Sequence, residues 1–282
     1  MEEKKILIAG LPDAGKSSYI GALNGVMSQE GDFKLSPANE KASEWTYLNS
    51  LTEKWLDCQI VEHSSDGETK FIKWPLKNKS EQEIVITIPD MKGETYYEII
   101  NGDFDPRLAD FCRGASGILF FVNNMNRLIL KEPAMKLVIK EDGEDKEDKE
   151  EKSLATPKTE SDKQKLNVST MPDVTKNLLV IRFLRELMGD VKIVVGVSAW
   201  DEKKNFSTVE AYLKTVCPAI YNYVKHNFNK YMFCGISAQG AKYGQLEPNL
   251  NTLTETGKRA YVFTTEQIFD LSLPLDFLIS EK

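Results

Sequence analysis

Short apolar runs alternate along the chain with longer stretches in which apolar residues return every three or four positions. Runs at 5–9, 69–76, 83–89, 117–122, 191–198 and 231–237 predict six buried strands. Between them, 17–30, 39–58, 173–188, 207–228 and 274–280 predict helices. In the second of these Trp45, Leu48, Leu51 and Trp55 fall near helical spacing; in the third Leu178, Ile181, Leu184 and Leu187 share a face. Pro218 predicts a break inside 207–228. The runs at 69–76 and 83–89 are joined by a short polar turn near Asn78-Lys79-Ser80, which predicts a hairpin. Elsewhere strand and helix alternate. The expected fold is therefore α/β, a mixed but mostly parallel six-stranded sheet with helices on both faces. The stretch 242–265 has no clear period and reads as irregular. There is no internal repeat.

The first strand, Lys5-Ile6-Leu7-Ile8-Ala9, runs directly into Gly10-Leu11-Pro12-Asp13-Ala14-Gly15-Lys16-Ser17. The pattern is G-x-x-x-x-G-K-[ST], placed between a strand and a helix as a phosphate-binding loop requires. Its glycines let the backbone wrap closely around phosphate oxygens. The main-chain amides from Gly10 to Ser18, with Asp13 and Ala14 among them, and the positive end of the helix supply partial charges for an anion. Lys16 can reach the β- and γ-phosphates, and the Ser17 hydroxyl can hold Mg2+.

Composition narrows the class. With 282 residues, 41% hydrophobic and 10% aromatic, the chain can bury a sizeable core. No apolar run approaches the ~20 residues that span a bilayer. Met1-Glu2-Glu3-Lys4-Lys5 leads straight into a strand, so no signal peptide is expected. Cys58, Cys112, Cys217 and Cys234 are scattered and read as reduced thiols of a cytoplasmic protein. Two histidines, His63 and His226, are too few for a zinc site. A net charge of -7 argues against nucleic acid as a partner. That charge is uneven: the polar stretch 138–171 contains a dense acidic and basic run that cannot bury enough apolar area to order itself. It reads as a flexible insertion within a single domain spanning 1–282.

Further polar signatures stand at strand ends. The run at 83–89 ends in Asp90, a carboxylate that can hold Mg2+ through water, and Gly93 follows three residues later. The run at 191–198 ends in Ser198-Ala199-Trp200-Asp201, and that at 231–237 in Ser237-Ala238. Ligands of open α/β sheets bind outside the carboxyl ends of the strands, so these positions can converge. In this order they resemble the motifs of a P-loop GTPase of the translation-factor-related (TRAFAC) class. More narrowly, the Trp45–Cys58 pattern, the Ile88-Pro89-Asp90 strand end with Gly93-Glu94 and the closing 274–280 helix resemble the bacterial double-GTPase families, which occur beside other GTPases and effectors in conflict or defence systems.

The resemblance implies GTP or GDP with Mg2+ as cofactors. It implies Lys16 and Glu94 as catalytic groups, and Ser17, Asp90 and Ser64 toward the metal. Gly93 would sense the γ-phosphate; Trp200, Asp201, Ser237 and Ala238 would surround the base. It also implies a protein partner, a second GTPase or an effector. There are departures. Ser198 and Ala199 stand where the class has Asn and Lys, so Asp201 alone keeps the guanine-reading group and Trp200 is left to stack on the base. Asp201 is alternatively a helix N-cap or turn residue, and Glu94 alternatively a first-turn acid favoured by a helix dipole. Ser65 and Thr69 compete with Ser64 as the first-switch hydroxyl. No arginine finger is identifiable. The expected function is a Mg2+-dependent GTP switch with slow hydrolysis. An ATPase or promiscuous NTPase of the same fold, or a nucleotide-binding scaffold, stands as the alternative.

Overall fold

A computed structural model describes residues 2–29, 31–59, 69–90, 95–101, 103–123, 168, 171–203, 205–241 and 258–280. In chain order the elements are β1 (Glu2–Ala9), α1 (Lys16–Met27), β2 (Leu35–Pro37), α2 (Trp45–Leu56), β3 (Lys70–Asn78), β4 (Glu83–Asp90), α3 (Thr95–Asn101), α4 (Pro106–Arg113) and β5 (Gly117–Val122). There follow α5 (Asp173–Met188), β6 (Lys192–Ser198), a 3-10 turn (Trp200–Glu202), α6 (Val209–Val216), α7 (Pro218–Asn227), β7 (Tyr231–Ser237), β8 (Tyr261–Phe263), β9 (Gln267–Ile268) and α8 (Leu273–Ile279).

Among the described residues the strands form one sheet of nine, ordered β2-β3-β4-β1-β5-β6-β7-β8-β9. The six runs read from the sequence are its inner members. The three additions correct the expected six. They are two or three residues long, too short to show a period, and they extend the two edges. β8 also corrects part of the stretch taken as irregular. Strands β4, β1, β5, β6 and β7 run parallel, while β3 and β4 form the expected antiparallel hairpin, Lys70 opposite Asp90 and Lys77 opposite Glu83.

β1 is a central strand, and its Ile6, Leu7, Ile8 and Ala9 are all buried. Period-two alternation sends them to two cores. Ile6 and Ile8 pack with Tyr19 and Leu23 of α1, Leu48 and Trp55 of α2, and Leu275 of α8. Leu7 joins Tyr96 of α3, Leu108 of α4, Val180 of α5, Leu213 of α6 and Val224 of α7. Helices thus cover both faces, as the alternating pattern predicts.

Local chemistry sets several helix ends. The Asp105 carboxylate accepts from Arg107 N at 2.8 Å ahead of Pro106, which opens α4. Thr208 caps α6 by accepting from Ala211 N at 3.1 Å. Pro218 opens α7, so the expected break separates two helices. The helix expected from residue 39 begins at Trp45, and α3 and α4 were not anticipated.

The chain leaves β1 for β4 on one side and β5 on the other. This reversal opens a crevice at the carboxyl ends of adjacent parallel strands. Gly10, Asp90, Asn123, Ser198 and Ser237 all stand along that one edge.

Candidate functional site

The loop after β1 is shaped by what its backbone must do. Gly10 has φ +150°, and a Cβ there would lie 2.8 Å from Phe121 O and 3.0 Å from Phe121 Cβ on β5. Only glycine lets the loop leave the sheet this tightly. The chain then turns with Ala14 N donating to Leu11 O at 3.2 Å. Asp13 sits in the left-handed region at φ 57°, and Gly15, at φ 91°, is the cap of α1. Gly15 brings no side chain to cap α1 and the first turn carries no acid, which leaves the positive end of the helix without a side-chain cap among the described residues.

Lys16 is buried at 8% exposure. Its Nζ donates to Gly10 O at 2.7 Å and Leu11 O at 2.9 Å, which folds the ammonium across the loop. It also lies 5.3 Å from the ring centroid of Tyr96, on α3. The Tyr96 hydroxyl donates to Ile8 O at 3.1 Å; burial holds that phenol protonated. Asn123, just past β5, donates from Nδ2 to Asp13 O at 2.6 Å. A cleft of about 280 Å³ opens along the outer side of the loop, between Leu11–Ala14 and Asn177 of α5.

Ser17 lies half-buried in the first turn of α1, and Asp90 ends β4, the strand beside β1. The Tyr47 hydroxyl on α2 donates to Asp90 Oδ2. Among the described residues no group of three or more His, Cys, Asp or Glu side chains could hold a metal. A hydroxyl and a carboxylate suit a hard cation that draws its remaining oxygens from phosphate and water, as Mg2+ does.

The base-recognition positions divide. Ser237, fully buried, donates to Asp201 Oδ1 at 2.7 Å and accepts from Gly240 N at 3.1 Å, so the Asp201 carboxylate is held from one side. Burial, and after it the Asp201 charge, push the nearby Tyr261 phenol above its usual range. Asp201 lies within the 3-10 turn whose cap is Ala199, so it is not the cap residue, and the alternative reading as a turn residue describes where it sits. Ser198 packs 3.4 Å from where a Gly15 Cβ would be, and its hydroxyl reaches Val122 O at 3.4 Å. Ala238 accepts from Trp55 Nε1 at 2.6 Å.

Trp200 requires a correction. Its indole is only 6% exposed, lies over Gly235 so closely that a Cβ there would be 2.3 Å from Trp200 Cγ, and stacks on Phe263 at 5.4 Å. The ring is packed against the protein's own residues and belongs to the core. Ser64, Gly93 and Glu94 lie outside the described residues, as does nearly all of the charged insertion. Sequence reasoning missed Asn123, Tyr96 and Tyr47. Asn123 carried a signal, since it is a polar residue at the carboxyl end of a buried strand. Tyr47 and Tyr96 carried none.

A phosphate loop at the switch point of a mixed sheet, with a carboxylate held by serine two strands away, defines a P-loop nucleotide-binding protein of the α/β class. The sequence matches the Double-GTPase 1 family over residues 7–278. The chain belongs to that family. Similar solved structures include a Roco2 RocCORdC from Methanosarcina barkeri bound to GDP, at 15% identity and TM-score 0.34, covering 86% of this chain and 46% of that one. The chain thus spans about half the length of that protein. Another is nucleolar GTP-binding protein 1 from Plasmodium falciparum, at 14% identity and TM-score 0.39, covering 86% of this chain and 80% of that one. No curated protein matches the sequence significantly. Among the described residues no helix is long and apolar enough to cross a membrane.

Proposed function

We propose that this chain is a Mg2+-dependent GTP-binding switch that hydrolyses its nucleotide slowly. The observation that carries the reading is the loop itself: the Gly10 turn against β5, the Lys16 ammonium folded across it and the uncapped start of α1. Lys16 and the main-chain amides up to Ser18 would hold the triphosphate and spread the charge that develops as the γ-phosphoryl group leaves. Ser17 and Asp90 would hold Mg2+, with Ser64 as the proposed first-switch hydroxyl. The ion, when bound, would neutralise charge developing on the phosphates. Gly93 would sense the γ-phosphate and Glu94 would orient water. Asp201, steadied by Ser237, would accept from the N1 and N2 donors of guanine, with Ala238 beside the base.

Slow turnover follows from the lack of a recognisable arginine finger in the sequence. The family resemblance further supports a partner GTPase or effector in a bacterial conflict or defence system, working in the cytoplasm.

Calorimetry with Mg2+ is expected to show GTP binding at least about tenfold tighter than ATP, the margin that paired donors to one carboxylate supply. Asp201→Asn is expected to exchange GTP for xanthosine triphosphate. Equal affinity for GTP and ATP, unmoved by that substitution, would overturn guanine specificity in favour of a promiscuous NTPase. Ala199 in place of the class lysine and the buried Trp200 are the features that favour that outcome. Absence of phosphate release in single-turnover assays, alone and with a partner, would leave a scaffold.

A further inference from the structure

The bond between Tyr47 and Asp90 joins two parts of the molecule that the nucleotide reading treats separately. Tyr47 belongs to α2, the helix that precedes the expected first switch. Asp90 ends the strand that leads to the second. The α2 helix is firmly held: Leu48, Leu51 and Trp55 are buried, Asn24 of α1 donates to Thr52 Oγ1 at 2.9 Å, and Trp55 Nε1 donates to Ala238 O at 2.6 Å. The tyrosine is therefore carried on a rigid element. Its ring is packed below the Lys70 ammonium, 4.6 Å from the ring centroid, and its hydroxyl reaches Asp90 Oδ2.

We propose that Tyr47 is a positioning residue for the divalent cation, a phenol that fixes the rotamer and plane of the Asp90 carboxylate and so pre-forms the metal side of the site. The proposal rests on the reading of Asp90 as a magnesium-side group. A carboxylate at a strand end gives up rotational freedom on meeting a metal-bound water. One charge-assisted hydrogen bond from a fixed helix removes that cost in advance. The same bond ties α2 to the carboxylate that would face the cation.

The test uses the full chain loaded with a fluorescent guanine nucleotide, whose release is followed across a MgCl2 titration and in EDTA. Tyr47→Phe keeps the ring and its contact with Lys70 and removes only the hydroxyl. It is expected to raise the half-saturating Mg2+ concentration about tenfold, the lower range for a group that orients a metal ligand, and to leave release in EDTA unchanged. In an Asp90→Asn background the same substitution is expected to move the midpoint no further. If Tyr47→Phe leaves the Mg2+ midpoint in place, or speeds release equally in EDTA, the proposal is overturned and the nucleotide reading stands. If wild-type release is itself indifferent to Mg2+, both fall together.

Discussion

At the scale of single residues, the phosphate loop is held by a few contacts with little redundancy. Asp13 occupies the left-handed region without being glycine, a conformation that costs of order 1–3 kcal/mol and persists only where neighbours impose it. The Asn123 side chain is one such neighbour, since its amide reaches Asp13 O at 2.6 Å. Asn123→Ala is expected to weaken guanine nucleotide binding by about three- to tenfold, the worth of one hydrogen bond, while changing the thermal midpoint little because the site is at the surface. Calorimetry and a thermal melt on the same preparation check both halves; unchanged affinity would mean the loop holds itself. Gly10, Gly15, Lys16, Ser17 and Asp90 could all be read from the sequence because each is dictated by local chemistry: a turn that excludes Cβ, a helix start, a polar residue ending an apolar strand. Asn123 obeyed the same rule. Tyr47 could not be read, since its partner is forty-three residues away and no local pattern ties them.

At the scale of elements, the 3-10 turn at Trp200–Glu202 shows how packing overrides a motif. From sequence alone, an aromatic residue beside an aspartate in the expected base-recognition position reads as a stacking platform. In the fold, Gly235 on β7 leaves a hollow that the indole fills, with Phe263 on one side and Tyr212 edge-on at 6.1 Å. The turn is thereby seated so that Asp201 meets Ser237. Trp200→Ala is expected to destabilise the protein by about 3–5 kcal/mol, as large-to-small changes in cores do, and Trp200→Phe by less. Urea unfolding would show it. A base platform would instead lose nucleotide affinity at unchanged stability, which is the outcome that would restore the first reading. The six long strands were readable because each shows its period, whereas α3 and α4 were not, and α2 begins at Trp45, six residues later than its pattern suggests. β2, β8 and β9 were not readable either: two or three residues have no period, and they exist because a neighbouring edge offers unpaired backbone groups.

At the scale of the whole molecule, two cores sandwich the sheet and hold titratable groups away from water. Burial pushes Cys112, Cys217 and Cys234 from the usual 9.0 up to about 12, and Tyr212 from 10.0 up to about 12. The folded state keeps these protons to higher pH than the unfolded chain does. Their contribution to stability is complete below about pH 9 and is lost as pH rises toward about 12. Urea midpoints are therefore expected to be level up to about pH 9 and to fall steeply above it; a flat profile to about pH 12 would show that these side chains reach water in the folded state.

Sequence alone determined the α/β alternation, the six inner strands, the hairpin, the helix break at Pro218 and the phosphate loop, because each is written in contacts between residues near one another in the chain. Tertiary structure decided which strands are neighbours, and with that which side chains meet at the carboxyl edge: Asn123 at the loop, Tyr47 at Asp90, Ser237 at Asp201, and Trp200 within the core. Those pairings arise from long-range packing, where the shape of the space left between elements determines what a residue does, and no local pattern encodes that space.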